Sequence, residues 1–144
     1  HFTDRRQRQM CIRDSLYNGL PIFMLHGGTA ILMLIVGAFI YSKITPWNEL
    51  DLIMEGNTAA AVSFSGAILG IAIPLAAALS SSISIWEIVV WGSVAIILQI
   101  TVFLILDLVL PNLSEQIKAN KIAAGIFIAS NKIALALMNA AAVI

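Results

Sequence analysis

Polar side chains that could do chemistry interrupt the long apolar stretches of this chain. Gln99 precedes Pro111 by 12 residues, and Lys132 follows Asn120 by the same interval. At a rise of ~1.5 Å per helical residue, both lie ~18 Å from the polar end of their stretches. Neighbouring antiparallel helices would therefore bring them together near the middle of a bilayer.

Two amide side chains accompany them. Asn131 adjoins Lys132, and Asn139 follows seven residues later, close to the same helical face. A lysine at the membrane centre costs ~2.5–3.5 kcal/mol on insertion scales, so it should face a bundle interior or a wet cavity. We predict a midplane polar cluster of Gln99, Asn131, Lys132 and Asn139. It could admit an ion, a proton or a small polar solute. The alternative is a purely structural role, either as a hydrogen-bonded network or as a lysine extended along small neighbouring residues. The modest insertion cost favours this alternative.

Other chemistry finds little support in the sequence. Asp107 lies about one turn from the polar end of its stretch, so we expect it to meet water or Lys43 rather than Lys132. No nucleophile, base and orienting group occur together, and no His or Cys cluster has metal-ligand spacing. We therefore expect no catalytic residue, no metal, no cofactor and no enzymatic activity. Nucleic-acid binding is excluded because the basic residues are few and scattered.

Four apolar stretches must position these polar residues. Each exceeds the ~20 residues that a helix needs to cross ~30 Å of hydrocarbon, and they occupy 20–41, 57–79, 85–110 and 122–143. Hydrophobic residues make up 60% of the chain and the mean hydropathy is +0.95, which leaves too little polar surface to cover a soluble core. The sequence predicts an all-α, polytopic membrane protein whose solvent is the lipid bilayer.

The first 15 residues differ in character from the rest. Residues 5–15 read RRQRQMCIRDS, which matches, codon by codon, the translation of a transposon-type sequencing-library adapter. We expect residues 1–15 to be non-native, which leaves residues 16–144 as one four-span membrane domain. Four basic and six acidic residues then remain, a net charge of −2. Cys11, the single cysteine, falls outside that domain.

The distribution of lysines predicts the orientation of the spans. Lys43 follows the first stretch, and Lys118 and Lys121 separate the third from the fourth, so all three lie on one side of the membrane. Lys and Arg in short loops favour the cytoplasmic side. We predict that loops 42–56 and 111–121 are cytoplasmic and that both termini are periplasmic.

The chain also indicates an internal repeat. Each of residues 16–79 and 80–144 passes from a span through a proline and a short amphipathic stretch to an asparagine and a small-residue helix start. At one constant offset, Asn57, Ala60, Ala61 and Phe64 align with Asn120, Ala123, Ala124 and Phe127. We predict two copies of a two-span hairpin, related by an axis along the membrane normal, as in parallel repeats of transporters.

The linker after the first span predicts a short helix in the membrane interface. Thr45 can cap it and Pro46 suits its first position. Its apolar face combines Trp47, Leu50, Ile53 and Met54, whereas Asn48, Glu49, Asp51 and Glu55 face away. Trp47 and Lys43 are the predicted interfacial anchors. We favour a membrane-surface elbow over a docking surface for a cytoplasmic partner.

A stripe of small residues follows one face of the second span. It consists of Ala59, Ser63, Gly66, Gly70 and Ala77, and it includes a GxxxG motif. Small residues allow two helices to approach closely. The stripe could serve a homodimer or packing within one chain, and both alternatives stay open.

Several segments resemble one bacterial family, the domain of unknown function 350. They are FIYSKITPWNELDLI, NTAAAVSFSGAILG, the Leu-Pro-x-Leu-Ser-Glu element at 110–115 and Met-Asn-Ala-Ala at 138–141, of which Tyr-Ser-Lys-Ile-Thr-Pro at 41–46 is the most specific. The resemblance covers essentially residues 16–144. It implies a four-span protein of the bacterial inner membrane without an established biochemical activity. Lys132 departs from the apolar or small residue expected at its position.

Two functional hypotheses follow from the sequence. The first is a non-enzymatic, homo-oligomeric membrane protein with a structural or accessory role, supported by the small-residue stripe. The second is a small channel or transporter for an ion, a proton or a polar solute, supported by the parallel repeat and the midplane polar cluster. The sequence identifies no protein partner.

Overall fold

The computed structural model describes residues 2–45 and 48–144, and within them it contains helices and no strand. The helices are α1 (Phe2–Ile44), α2 (Glu49–Met54), α3 (Thr58–Ser81), α4 (Ile85–Val109), α5 (Pro111–Lys118) and α6 (Ile122–Val143). Four of them, α1, α3, α4 and α6, are long and apolar enough to cross a membrane. The predicted all-α, four-span architecture is therefore confirmed.

Helix α1 is much longer than the predicted first span. It has 43 residues and continues without interruption through segment 5–15. Only 11% of its most apolar window is buried by the rest of the chain. The bundle therefore depends mainly on α3, α4 and α6, and α1 presents most of its apolar surface outward.

Helices α3 and α6 form the closest pair. A Cβ added at Gly66 would lie 2.5 Å from the Cβ of Ala129, and one added at Gly125 would lie 2.6 Å from the carbonyl oxygen of Ala59. These contacts advance along both helices in the same direction, so α3 and α6 run parallel. Their backbones approach this closely because small residues occupy both sides of the contact.

The small-residue stripe of α3 is used within the chain. All its members are buried: Ala59, Ser63, Gly66, Gly70 and Ala77. Gly70 faces the ring of Phe103 and the carbonyl oxygen of Lys132. Of the two alternatives left open by the sequence, the structure therefore contains the intramolecular one.

Helices α1 and α4 form a second parallel pair. A Cβ at Gly37 would contact Ile96 at 3.3 Å, and a Cβ at Gly92 would contact Met33 at 2.8 Å. Two parallel pairs are the arrangement that a twofold axis along the bundle would produce. The internal duplication itself stays a prediction.

Two asparagines join the linkers at one end of the bundle. Asn57 caps α3 by accepting from the Ala60 amide at 3.0 Å, and its Nδ2 donates to the carbonyl oxygen of Ile117 at 2.9 Å. Asn120 adopts a positive φ of 60°, and its Oδ1 accepts from the amide of Ala59 at 3.2 Å. Asn57 and Asn120, the predicted repeat starts, thus each form a hydrogen bond with the segment that contains the other. The short helices α2 and α5 therefore lie at the same end of the bundle.

The predicted cap and orientation of α2 are each wrong at one residue. Asn48, not Thr45, is the N-cap of α2, and the Thr45 hydroxyl donates to the carbonyl oxygen of Tyr41 instead. The sequence predicts Glu49 on the water-facing side, but Glu49 is 1% exposed. Leu52 and Ile53 pack against the α3–α6 core, whereas Met54 is 87% exposed. The difference arises because α2 lies against the bundle and turns Glu49 towards α1. The predicted anchor Lys43 is exposed with its ammonium 5.5 Å from the Phe39 ring centroid, and Trp47 lies outside the described residues.

Candidate functional site

Lys132 is the centre of a buried polar cluster. It lies on α6 with 1% of its surface exposed, and its Nζ donates to the hydroxyl of Tyr41 at 2.5 Å. The ammonium is also 4.9 Å from the ring centroid of Tyr41 and 5.3 Å from that of Phe103. Aromatic faces attract a cation at this range, most strongly when water is excluded.

The helix geometry explains why the ammonium meets Tyr41. Cα–Cβ bonds tilt towards the N-terminus of a helix, so the long Lys132 side chain extends back towards the start of α6. That end of the bundle also holds the last turn of α1, which carries Tyr41, and the short helix α2. The charge of Lys132 therefore lies nearer the linker end than its Cα does.

Glu49 continues the cluster towards the linkers. The Tyr41 hydroxyl is 3.4 Å from Oε1 of Glu49 and is placed to donate to it. One phenol can accept from an ammonium and donate to a carboxylate at the same time. Both side chains are 1% exposed, so the link from Lys132 through Tyr41 to Glu49 is buried.

Asp107 supplies a second acidic group to the cluster. It lies one turn after Phe103 on α4, so it shares the helix face whose Phe103 ring contacts the Lys132 ammonium. Both of its carboxylate oxygens are shielded from water, and none of the described residues donates a hydrogen bond to them. The prediction that Asp107 meets water or Lys43 is therefore wrong. The backbones of Asp107 and Lys132 lie at different depths, but the Lys132 side chain reaches back along the helix axis towards the depth of Asp107.

Two of the predicted amides join the cluster on the other side of Lys132. Nε2 of Gln99 donates to the carbonyl oxygen of Lys132 at 3.3 Å. Nδ2 of Asn139 donates to Oε1 of Gln99 at 3.1 Å. The structure thus brings together Gln99, Lys132 and Asn139, although Gln99 meets the backbone of Lys132 and not its ammonium.

Asn131 lies apart from this cluster. Its Nδ2 donates to the carbonyl oxygen of Phe127, one turn earlier in α6, at 2.8 Å. Successive helical residues are rotated by about 100°, so a helix that turns Lys132 inward turns Asn131 away from it. Equal depth alone does not bring two side chains to one site.

Three residues of the cluster were not predicted from the sequence: Tyr41, Glu49 and Asp107. Tyr41 had a usable signal, since a tyrosine in the last turn of an apolar span has its hydroxyl available to a buried polar group. Glu49 had no such signal in the sequence. A helix of six residues is too short for its pattern to show which polar side chain faces the bundle.

A cleft adjoins the cluster at the linker end. It has a volume of ≈ 210 Å³ and is lined by Phe39, Ser42, Lys43, Asn48, Glu49, Leu50 and Asp51. Glu49 is the one member of the cluster that lines it. The cluster therefore borders this cleft through Glu49, while Lys132 stays buried.

Comparison with known proteins places the chain among bacterial membrane proteins. The family described as Domain of Unknown Function (DUF350) matches residues 15–143. Two curated relatives, each called UPF0719 inner membrane protein YjfL, come from Escherichia coli strain K12 and Escherichia coli O157:H7. Each is 42% identical over 132 residues, which cover 92% of this chain and 97% of the relative. No solved structure matches.

Proposed function

The chain belongs to the DUF350 family, and on this premise we propose that it is a non-enzymatic, self-associating protein with a structural or accessory role in the bacterial inner membrane. The inner-membrane location follows that of its relatives, which are called inner membrane proteins. Four helices of sufficient length and hydropathy agree with that location.

The observation that carries the proposal is the enclosure of Lys132 within one chain. Its ammonium contacts α1 through Tyr41 and α4 through the Phe103 ring. Through Tyr41 it is also linked to Glu49 on α2. Breaking such a buried arrangement by removing one partner costs ~3–5 kcal/mol. The cluster therefore serves to hold α1 and α2 against the helices that form the core.

The proposed self-association involves the outer surface of α1. The glycine contacts of α3 are occupied by α6 and Phe103. By contrast, α1 exposes large apolar side chains at Ile31, Leu32, Ile35, Val36 and Phe39. Lipid covers this surface in a monomer, and a second copy would cover it in an oligomer. Cross-linking through single cysteines introduced along α1 tests this directly, with cysteines on buried α3 positions as the control.

The proposed orientation places the linkers in the cytoplasm. Lys43, Lys118 and Lys121 are exposed, and the two linkers that carry them lie at the same end of the bundle. The positive-inside rule assigns that end to the cytoplasm and both termini to the periplasm. Labelling of single cysteines at 51 and 83 with a membrane-impermeant reagent in intact cells distinguishes the two sides. Label at 83 alone is the expected result.

A second candidate function is a small channel or transporter for an ion, a proton or a polar solute. Its supporting observation is that polar groups continue beyond Lys132 through Gln99 to Asn139. Asn139 lies 17 residues into α6, or ~25 Å along the helix. The polar groups thus extend over most of the length of the bundle.

Ion and proton flux into liposomes discriminates between the two functions. The purified full chain is compared with Lys132→Met and with empty liposomes. We expect no flux above that of empty liposomes, because the ammonium is enclosed. A flux in the parent that is lost in a folded Lys132→Met protein would reject the structural role and establish a pathway through the cluster.

A further inference from the structure

The buried carboxyl group of Asp107 is not explained by the structural role. Both carboxylate oxygens are buried, and within residues 2–45 and 48–144 no group donates a hydrogen bond to them. An ionised carboxylate without donors is costly to bury, because it has lost its water and gained little in exchange. The nearby charge of Lys132 acts on it, but that ammonium is shared.

The charges of the cluster do not balance when every group is ionised. Glu49 and Asp107 contribute two negative charges, and Lys132 contributes one positive charge. Tyr41 is neutral as a phenol, and α3 carries no titratable residue. The other charged residues at this end of the bundle are exposed: Lys43, Asp51, Glu55, Glu115, Lys118 and Lys121. The buried groups alone therefore carry one excess negative charge.

We propose that the cluster of Tyr41, Glu49, Asp107 and Lys132 is a proton-binding site that holds one proton on Asp107. A hydronium ion gives its proton to a carboxylate oxygen of Asp107, forming an O–H bond and releasing water. The buried cluster then contains one carboxylate, one ammonium and two neutral groups. This inference goes beyond the proposed function, because it concerns an occupied site and requires no transport.

A proton fits this site better than a metal ion does. The ammonium of Lys132 already occupies the space beside the Tyr41 and Phe103 rings. A metal cation placed among the same residues would be repelled by that ammonium at short range and low dielectric. Protonation neutralises Asp107 without adding a second cationic centre.

Asp107 is the better proton carrier of the two acids. Glu49 faces the Tyr41 hydroxyl at 3.4 Å, and a donor of this kind stabilises the ionised form of a carboxylate. Asp107 has no comparable donor among the described residues. The cleft at Glu49 supplies the aqueous side from which the proton enters.

Infrared spectroscopy of the full chain in lipid bilayers tests the site directly. At neutral pH we expect the C=O stretching band of a protonated carboxylic acid, shifted when H₂O is replaced by D₂O. The band should be absent in Asp107→Asn and retained in the matched control Glu115→Gln, which changes an exposed acid. Absence of the band in the parent, or its retention in Asp107→Asn, overturns the proposal.

A second variant keeps the test independent of whether Asp107→Asn folds. Lys132→Met leaves two buried carboxyl groups without their ammonium, so a second proton should bind and the area of the band should about double. An unchanged area in a folded Lys132→Met protein would contradict the charge balance on which the proposal rests. The liposome flux and this band are separate measurements, so a failure of the structural role is distinguishable from a failure of the proton site.

Discussion

Replacement of Lys132 by methionine is the perturbation whose effect the structure defines most closely. Methionine keeps the unbranched apolar stem of the lysine and removes its charged end, so the α6 packing is largely retained. The loss comprises one hydrogen bond to Tyr41 and two contacts with aromatic rings. The variant therefore reports on the ammonium itself.

The magnitude follows from opposing contributions. A hydrogen bond from a charged donor contributes ~1.5–3 kcal/mol, and ring contacts add ~0.5–2 kcal/mol. Against this stands the ~2.5–3.5 kcal/mol cost of placing a lysine at the bilayer centre. These contributions roughly cancel, so the decisive effect is the loss of the cation that compensates the carboxylate of Glu49. Removing one partner from a buried charge pair costs ~3–5 kcal/mol, which is the destabilisation we expect.

The assay is reversible unfolding in mixed detergent micelles, followed by tryptophan fluorescence. Tyr41→Phe is the matched control, because it keeps the ring beside the ammonium and removes only the hydroxyl. It should cost ~1.5–3 kcal/mol, the contribution of the hydrogen bond from the charged donor, and less than Lys132→Met. If Lys132→Met unfolds at the same denaturant concentration as the parent, the cluster contributes no net stability, and the argument for its structural role fails.

Three further perturbations test the packing and the linkers. Gly66→Val should destabilise the chain by ~1–3 kcal/mol, because the new Cβ meets Ala129. By contrast, Gly27→Ala has open space within a helix and should stabilise the chain by up to ~1 kcal/mol in the same unfolding assay. Asn57→Ala removes a helix cap and should cost ~0.5–2 kcal/mol, with faster amide hydrogen exchange at the start of α3; unchanged exchange there would contradict the cap. Asn131→Ala should change the unfolding midpoint little, within ~0.5 kcal/mol, because its amide bonds only to its own helix, and a large loss would place it in the cluster after all.

The sequence was sufficient for the spans and for part of the buried polar cluster. Long apolar stretches allow few alternatives to membrane helices, and inward-facing glycines and alanines predict close helix contacts. Gln99, Lys132 and Asn139 were found because they are polar residues within such stretches. Asn131 lies at the depth of Lys132, but the rotation of about 100° between successive helical residues turns it out of the cluster.

The acidic members of the cluster could not be predicted in the same way. Glu49 lies in a linker, where polar residues are expected to face water, and its burial depends on how α2 packs against the bundle. Asp107 joins the cluster because the Lys132 side chain reaches towards the start of α6. Both facts depend on tertiary structure and on side-chain direction, which residue spacing does not specify.

The position of Lys132 in the last of the four spans has a consequence for biogenesis. During synthesis, α1, α2 and α4 precede α6, so Tyr41, Glu49 and Asp107 are translated before the lysine that they surround. A charged residue in an early span is exposed to lipid until its partners are inserted, whereas one in the last span can contact them as soon as it enters the membrane. The order of helices along the chain thus limits the time during which the ammonium of Lys132 faces lipid alone.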